Sequence, residues 1–318
     1  MKGCVLFCCL SSAFAQYAVR SEGEVVRLED DRRQTVVSVM PSHGNSAFAM
    51  TVKGKKVLRF PFAFLEEYKG GRGMSGIPFL APWANRLDEP AFYANGEKIS
   101  FHLELGNLRA GQNNHPMHGF LTAATQWTVL EAKADDSAAW MTSQIDFFRQ
   151  PEWMAQFPFA HTIEMTYRLS EGSLEVRLGL NNLSNAPMPV AIGFHPYFQV
   201  NDAPRDEWTF GIAARREWLL SNDNIPTGEV RPIEQFLPKP RGGILIRTES
   251  RPRIPRSDSG RHGPGDDVGP GKIGARGSGV RAEVQGGGRA HRGICKELQY
   301  IPPGENGTES FWVRPSGY

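Results

Sequence analysis

Residues 161–182, HTIEMTYRLSEGSLEVRLGLNN, decide the fold class of this 318-residue chain. Apolar residues occupy every second position on both sides of Ser170-Glu171-Gly172: Ile163, Met165, Tyr167 and Leu169 before it, and Leu174, Val176, Leu178 and Leu180 after it. Because successive side chains of a strand point to opposite faces, this period of two predicts two strands with one buried face each. The short glycine-containing turn between them predicts an antiparallel hairpin.

The rest of the first 245 residues follows the same pattern more weakly. Further strands are predicted at 47–52, 57–60, 99–104, 127–132, 140–147 and 189–194, with turns at Lys53-Gly54 and Asn95-Gly96. No long segment has the 3.6-residue period of an amphipathic helix. Many short strands at fairly even spacing favour an all-β protein, a large antiparallel β-sandwich, over a fold of alternating strands and helices. We expect this single domain to span residues 16–246.

The first fifteen residues have the features of a secretory signal peptide. Lys2 provides the positive start, residues 5–10 form an apolar core, and Ala13-Phe14-Ala15 offers the small residues that signal peptidase reads. Cleavage before Gln16, which N-terminal sequencing of the mature chain would show, would give a periplasmic or secreted protein. The alternative is a buried N-terminal strand.

Charge and cysteine content exclude several classes of partner. The net charge is only +2, and basic residues are mostly interspersed with acidic ones through the first 240 positions, which argues against nucleic acid. No later apolar run is long enough to cross a bilayer. Cys4, Cys8 and Cys9 lie in the signal segment, so the mature chain keeps only Cys295 and has neither an internal disulfide nor a cysteine metal site.

The composition changes abruptly near Arg247. Residues 247–289 are mostly Gly, Arg, Pro, Ser and Asp and contain no Phe, Trp or Tyr. Such a segment buries too little apolar surface to offset its ordering entropy, which predicts a disordered linker. The alternative is a shifted reading frame: with suitable codons, VRAEVQGGGR at 280–289 becomes FGPKYKVAVV, a good strand sequence. Residues 290–318 regain a globular composition and are expected to supply a closing strand of the same domain.

Three polar clusters contain the candidate functional residues. They are Asn85-Arg86, the stretch HPMHGF at 115–120, and the stretch GFHPYF at 193–198. Pro196 favours extended geometry at His195, which would then project from a strand end, and an imidazole suits proton transfer near neutral pH. An arginine fork at Arg86 could hold vicinal hydroxyls. When each cluster is considered alone, two alternatives remain open: His195 as a structural histidine and Arg86 as a surface arginine.

His115, His118 and His195 also allow a three-histidine metal site. No carboxylate or fourth ligand stands at a suggestive spacing, however, and Pro116 breaks helical geometry between the first two histidines. A hydrogen-bonding role for His118 is therefore favoured, with Gly119 expected to let a ligand approach the backbone closely.

Together the clusters resemble the aldose 1-epimerase (galactose mutarotase) family. The matching pieces are PFLAPWANRL, HPMHGF, GFHPYF and IPTGE at 225–229, within a resemblance that runs from about residue 44 to 245 and resumes at 290. The resemblance implies a galactose mutarotase-like supersandwich and an isomerase that interconverts the α and β anomers of a free aldohexose such as glucose or galactose. It implies no metal or organic cofactor and a small-molecule sugar as the partner. Arg86, His118 and Asn85 would bind the sugar hydroxyls, and His195 would be the catalytic general acid that protonates the ring oxygen.

The chain departs from the family pattern near its C-terminus. Family members use a glutamate there as general base, and that glutamate is missing together with its neighbours. A substrate-contacting aspartate is also missing, because Arg247 stands where it is expected. Glu283 is the nearest candidate base, but nothing in its Gly-rich surroundings would position it. We therefore expect impaired catalysis. Two alternatives are a non-catalytic carbohydrate-binding protein and a hexose-6-phosphate epimerase, which would need a cationic cluster that the sequence does not reveal.

Overall fold

The computed structural model describes residues 15–70, 74–111, 114–199 and 216–235, and the backbone of 209–210, 244–245, 280–286, 296–301 and 310–315. The strands, in chain order, are β1 Tyr17–Glu22, β2 Val25–Asp30, β3 Thr35–Met40, β4 Ser46–Val52, β5 Lys55–Lys56, β6 Phe79–Leu80, β7 Ala91–Ala94, β8 Glu97–Ser100, β9 Thr128–Ala134, β10 Ala139–Asp146, β11 His161–Ser170, β12 Ser173–Asn182, β13 Gly193–Phe194, β14 Thr209–Phe210, β15 Arg216–Leu220, β16 Pro226–Pro232, β17 Ile244–Leu245, β18 Val280–Gly286, β19 Lys296–Ile301 and β20 Ser310–Pro315. The α-helices in the described ranges are the short α1 Leu65–Gly70 and α2 Pro151–Gln156. The prediction of an all-β fold is confirmed.

Two five-stranded sheets form the body of the domain. The first is an antiparallel meander in the order β1-β2-β3-β4-β5. The second has the order β18-β12-β11-β10-β9, in which β18 runs parallel to β12 and the other neighbours are antiparallel. The strands of the first sheet follow one another in sequence, whereas in the second sheet α2 lies in the connection from β10 to β11, and β18 joins from a distant part of the chain.

The hairpin predicted at 161–182 is the centre of the second sheet. Its register pairs His161 with Asn182 at the open end and Ser170 with Ser173 at the turn. The turn residues Glu171 and Gly172 have φ of 50° and 71°, the left-handed values that a two-residue type I′ hairpin turn requires. The same positive φ values at Lys53-Gly54 and Asn95-Gly96 confirm those two predicted turns.

The core lies between the two sheets. The alternating apolar residues of β11 and β12 are buried, except Leu180, which is partly buried, and they pack in one cluster with residues of the first sheet, namely Leu28, Val37, Val39 and Met50. Tyr167 crosses this core and donates a hydrogen bond of 2.8 Å from its hydroxyl to the carbonyl of Asn45. Complete burial raises the pKa of that phenol, so it stays protonated and keeps its donor. The sheets therefore form the sandwich that the period-two pattern predicts.

Three weaker strand predictions are wrong in part. Residues 57–60 contain only an isolated bridge from Leu58 to Phe198, residues 189–194 reduce to β13, and β8 ends at Ser100 before a 3₁₀ turn at Leu103–Leu105. The first two segments pair only through single bridges or a two-residue ladder, whereas β8 forms a four-residue ladder with β7 and ends early. The alternation of residue types does not distinguish such short pairing from a full strand.

The Gly/Arg-rich segment is described only at Val280–Gly286, which forms β18 beside β12. The rest of 247–289 lies outside the described residues, so the linker and reading-frame hypotheses both stay predictions. The signal peptide prediction falls mainly on residues that are likewise not described. Within the described ranges, no helix has the length and apolar character needed to span a membrane.

Candidate functional site

One extended segment, residues 76–87, brings the three polar clusters together. On one side it pairs with the stretch around His195: β6 pairs with β13, and the amide of His195 donates to the carbonyl of Pro78 at 3.0 Å. Two residues further on, the amide of Tyr197 donates to the carbonyl of Gly76 at 2.8 Å. The ladder fixes the backbone of His195 relative to the segment that carries Asn85 and Arg86.

On its other side the same segment pairs with residues 116–120. Met117 forms a bridge with Arg86, and the amide of His118 donates to the carbonyl of Asn85 at 2.8 Å. The amide of Phe120 donates to the carbonyl of Ala81 at 2.8 Å. Clusters that are up to 110 residues apart in sequence thus share one small ladder.

Reciprocal bonds hold His118 in a fixed orientation. Besides the bond to the Asn85 carbonyl, the amide of Asn85 donates to Nδ1 of His118 at 3.2 Å. Both residues have left-handed backbones, with φ of 67° at His118 and 64° at Asn85. A non-glycine residue in this region costs about 1 kcal/mol or more, and such strain persists where the surrounding structure determines it.

The protonation state of His118 follows from this arrangement. His118 is only 5% exposed. Burial lowers the pKa of its imidazole to about 3, with smaller contributions from the nearby charges of His195, Arg109 and Arg86. The ring is therefore neutral at physiological pH. Since Nδ1 accepts a hydrogen bond, the proton resides on Nε2, which is left as the donor. The His118 ring is thus available as a hydrogen-bond donor rather than as a proton carrier.

His195 lies next to His118, with the ring centroids 5.7 Å apart and the planes nearly perpendicular at 85°. Its other neighbour is Tyr197, whose ring stacks on it at 4.8 Å and 17°. Burial lowers the pKa of His195 below its usual value of 6.5, and Arg109 lowers it further, against an opposing backbone hydrogen bond. Its protonated form is therefore a stronger acid than an imidazolium in water.

Arg86 is half-buried beside the histidines. Its Nη1 donates to Oδ1 of Asn85 at 3.2 Å, which orients the guanidinium. Gly111 leaves room for it, because a Cβ at that position would lie 3.2 Å from Nε of Arg86. Asn85 therefore holds Arg86 through its side chain and His118 through its backbone.

The site is rich in hydrogen-bond donors and positive charge. It offers a neutral imidazole N–H, a guanidinium, a second imidazole able to release a proton, and an aromatic ring beside it. Within the described ranges, no hydrogen bond or ion pair joins a carboxylate to His118 or His195. Such a set can bind adjacent hydroxyls and protonate an ether or hydroxyl oxygen.

Comparison with known proteins identifies the family. Residues 24–241 match the sequence model of the family described as aldose 1-epimerase, which is more than half of the chain. The chain belongs to the aldose 1-epimerase family. The matched range contains all three polar clusters of the site.

Solved structures of the family share the fold. A galactose mutarotase-like protein from Clostridium acetobutylicum has a TM-score of 0.60 at 23% identity, covering 68% of this chain and 64% of that one. Galactose 1-epimerase from Lactobacillus acidophilus gives 0.53 at 15%, covering 68% and 62%, and the aldose epimerase homologue from C. elegans gives 0.52 at 16%, covering 67% and 63%. The chain therefore spans less than two thirds of the length of these relatives. The galactose mutarotase-like sandwich is confirmed.

The structure brings together Asn85, Arg86, His118 and His195, as the sequence predicts, and their roles remain predictions. No group of three histidine, cysteine, aspartate or glutamate side chains suited to a metal occurs in the described part of this epimerase family member. For Glu283, the structure gives a backbone position on β18, paired in register with Arg177 of β12.

Of two neighbours of the histidines, Tyr197 was noted in the sequence only as part of the GFHPYF stretch, and Arg109 was not singled out. Tyr197 stands two residues after His195, and the period of two in an extended segment could have placed both on one face. Arg109 lies in a loop without a motif, and its charge lowers the pKa values of His118, His195 and Tyr197. Its proximity is a result of tertiary structure alone.

Gly119 also has a structural role that the sequence analysis did not predict. The close approach is made by the chain itself: Gly119 has φ of 63° and bridges Ala81, and a Cβ would lie 1.9 Å from the Ala81 carbonyl oxygen. Glycine is therefore required for the His118 loop to pack against residues 76–87, and the approach of a ligand to this backbone stays a prediction.

Gly119→Ala is expected to destabilise the protein by about 4 kcal/mol or more, because the backbone carbonyl cannot move away cheaply. Gly96→Ala is the matched control: φ is 84°, but no atom lies within 4 Å of the added Cβ, so only the left-handed strain of about 1–2 kcal/mol applies. Urea denaturation measures both changes. Equal losses in the two variants would contradict the steric argument.

Proposed function

We propose that this protein is an aldose 1-epimerase that interconverts the α and β anomers of a free aldohexose such as glucose or galactose. The observation that supports this best is the convergence of Arg86, His118 and His195 on one ladder, with two fixed donors beside a titratable imidazole. The family match supplies the reaction class.

In the proposed reaction, Arg86 and Nε2 of His118 donate hydrogen bonds to ring hydroxyls and hold the sugar. Protonated His195 transfers its proton to the ring oxygen while the anomeric hydroxyl loses its own proton to a base. The bond between C1 and the ring oxygen breaks, leaving an open-chain aldehyde. Rotation about C1–C2 presents the other face of the carbonyl, and the reverse proton transfers close the ring as the opposite anomer.

The base of this reaction is where we propose that the chain is impaired. The charges that act on His118, His195 and Tyr197 come from Arg59, Arg86, Arg109 and the histidines, and no carboxylate among the described residues is one of them. Water would then accept the anomeric proton. Since a positioned base contributes about 10² to 10⁴ in rate, turnover should be slow while sugar binding is retained.

The lack of a described carboxylate that acts on these side chains also favours a second candidate, a carbohydrate-binding protein without catalysis. The two candidates share the sugar site and differ in turnover. Polarimetry distinguishes them, because an epimerase accelerates the decay of optical rotation of fresh α-glucose or α-galactose and a binding protein does not. With either activity, we propose a periplasmic or secreted location on the basis of the N-terminal signal features.

Arg86→Ala and His118→Ala are each expected to weaken galactose binding by about 10- to 150-fold. A hydrogen bond with a charged partner contributes about 1.5 to 3 kcal/mol, and a buried neutral donor toward the lower limit. Calorimetric titration measures the change. Arg20→Ala is the matched control, since its guanidinium pairs with Glu29 in the first sheet. Unchanged affinity in both site variants would refute the assignment, and loss of binding on adding a chelator would revive the three-histidine metal site.

A further inference from the structure

Two aromatic rings confine the imidazole of His195. The ring of Tyr197 stacks on its face, with the centroids 4.8 Å apart and the planes at 17°, and the ring of His118 lies nearly perpendicular to it at 5.7 Å. His195 and Tyr197 are two residues apart, so in an extended segment their side chains project from the same side of the backbone. The stack is therefore built into the segment that carries His195.

Backbone hydrogen bonds hold both members of the stack. The amide of Tyr197 donates to the carbonyl of Gly76 at 2.8 Å, and its carbonyl accepts a bond of 2.9 Å from the amide of Arg59. The amide of His195 donates to the carbonyl of Pro78 at 3.0 Å. The two residues are thus fixed to the neighbouring segments by bonds that need no ligand.

The charges around His195 oppose a proton on its ring. Burial and then Arg109 lower the pKa of this imidazole, against a backbone hydrogen bond, and Arg109 and Arg86 also act on the neutral His118 beside it. Among the described residues, none of the charges that act on these groups belongs to a carboxylate. The face of an aromatic ring is the negative part of its quadrupole and attracts a cation within about 6 Å of the centroid. The ring of Tyr197, at 4.8 Å, meets this condition.

The phenol of Tyr197 remains neutral at physiological pH. Burial raises its pKa, although the charges of Arg109 and Arg59 oppose this effect. The ring therefore meets a protonated His195 as an uncharged aromatic surface, and the contact between them is that of a cation with a π face rather than an ion pair.

We propose that Tyr197 is a positioning residue for the general acid: its ring holds the His195 imidazole in place and stabilises the imidazolium through a cation–π contact. The inference rests on the proposed function, because it assigns Tyr197 to the acid of that reaction. Tyr197 acts through His195 and need not touch the sugar. Without the contact, burial and the charge of Arg109 would leave a smaller fraction of His195 protonated at a given pH.

NMR titration of the His195 imidazole in the full chain tests the proposal without any sugar, and His195→Asn identifies the resonance by its loss. In Tyr197→Leu we expect the pKa to fall by about 0.5 to 1.5 pH units, and the acid-dependent rate of mutarotation above this pKa to fall about 3- to 30-fold. Tyr197→Phe keeps the ring face and should retain the native value. Tyr93→Leu is the matched control, because it removes an exposed tyrosine that has a cation, Lys98, 5.6 Å from its ring centroid.

The direction of the change separates this role from a merely structural one. Loss of packing would admit water, and since burial lowers the pKa of His195, hydration would raise it toward 6.5. An unchanged or raised pKa in Tyr197→Leu therefore overturns the inference. So does reduced affinity for galactose with an unchanged pKa, because Tyr197 would then be a sugar contact.

A second substitution keeps the shape of the ring and changes its charge distribution. Pentafluorophenylalanine at position 197 reverses the quadrupole, so the pKa of His195 should be lower than in Tyr197→Phe, and equal values overturn the inference. This comparison decides the matter even where thermal melting shows that Tyr197→Leu is unfolded. A native chain that neither binds galactose nor accelerates mutarotation contradicts the proposed function, whereas the titration reports the contact of the two rings in either case.

Discussion

Replacing His195 by Asn is expected to slow mutarotation by a factor of about 10² to 10⁴. The amide retains the size and a hydrogen-bond donor of the imidazole but cannot deliver a proton to the ring oxygen, and one positioned general acid contributes about this much. The backbone position does not depend on the side chain, because it is fixed by the bond from the His195 amide to Pro78. Polarimetry of fresh α-glucose or α-galactose measures the rate.

The pH dependence gives a second readout of the same residue. Because burial lowers the pKa of His195 below 6.5, its protonated fraction increases as the pH falls through this shifted value. The acid-dependent rate should therefore rise on the acid side of 6.5 in the native chain and lose this rise in the Asn variant. His102→Asn, at an exposed histidine paired with Glu104, is the matched control. An unchanged rate in His195→Asn would exclude His195 from the chemistry.

Restoring the base that we propose to have been lost is expected to have an effect of similar size. A repaired chain, read through the restored frame across codons 246–290 with its glutamate, should turn over glucose anomers about 10² to 10⁴ times faster than the chain described here. The reason is that a carboxylate beside the anomeric hydroxyl replaces water as the proton acceptor. Mutarotation of both chains at equal concentration measures the ratio, and re-sequencing of the gene should show compensating insertions or deletions near codons 246 and 290.

Two further variants isolate the role of the carboxylate. In the repaired chain, glutamine in place of the restored glutamate should return the rate to that of the unrepaired chain. Glu283→Gln in the unrepaired chain should change nothing, since β18 carries this residue in register with Arg177 rather than in the ladder of the histidines. Should the unrepaired chain already match the repaired one, the base has not been lost.

The sequence by itself determined the fold class and the members of the main site. The alternation in β11 and β12 requires one buried face on each strand, and the Glu171-Gly172 turn suits a tight hairpin. Local patterns of this kind are sufficient because strand periodicity and turn conformation are properties of neighbouring residues. The clusters that contain Asn85, Arg86, His118 and His195 were recognisable for the same reason, as short motifs in a fixed order.

Only the tertiary structure decided how those residues act together. The neutral state and Nε2 proton of His118 follow from its burial and its bond to the Asn85 amide, a contact across 33 residues. Gly119 is required by the carbonyl of Ala81, and the charge of Arg109, which lies in a loop without a motif, lowers the pKa values of both histidines. Burial, pKa and the convergence of charges depend on long-range pairing of loops, and no local pattern in the sequence records that pairing.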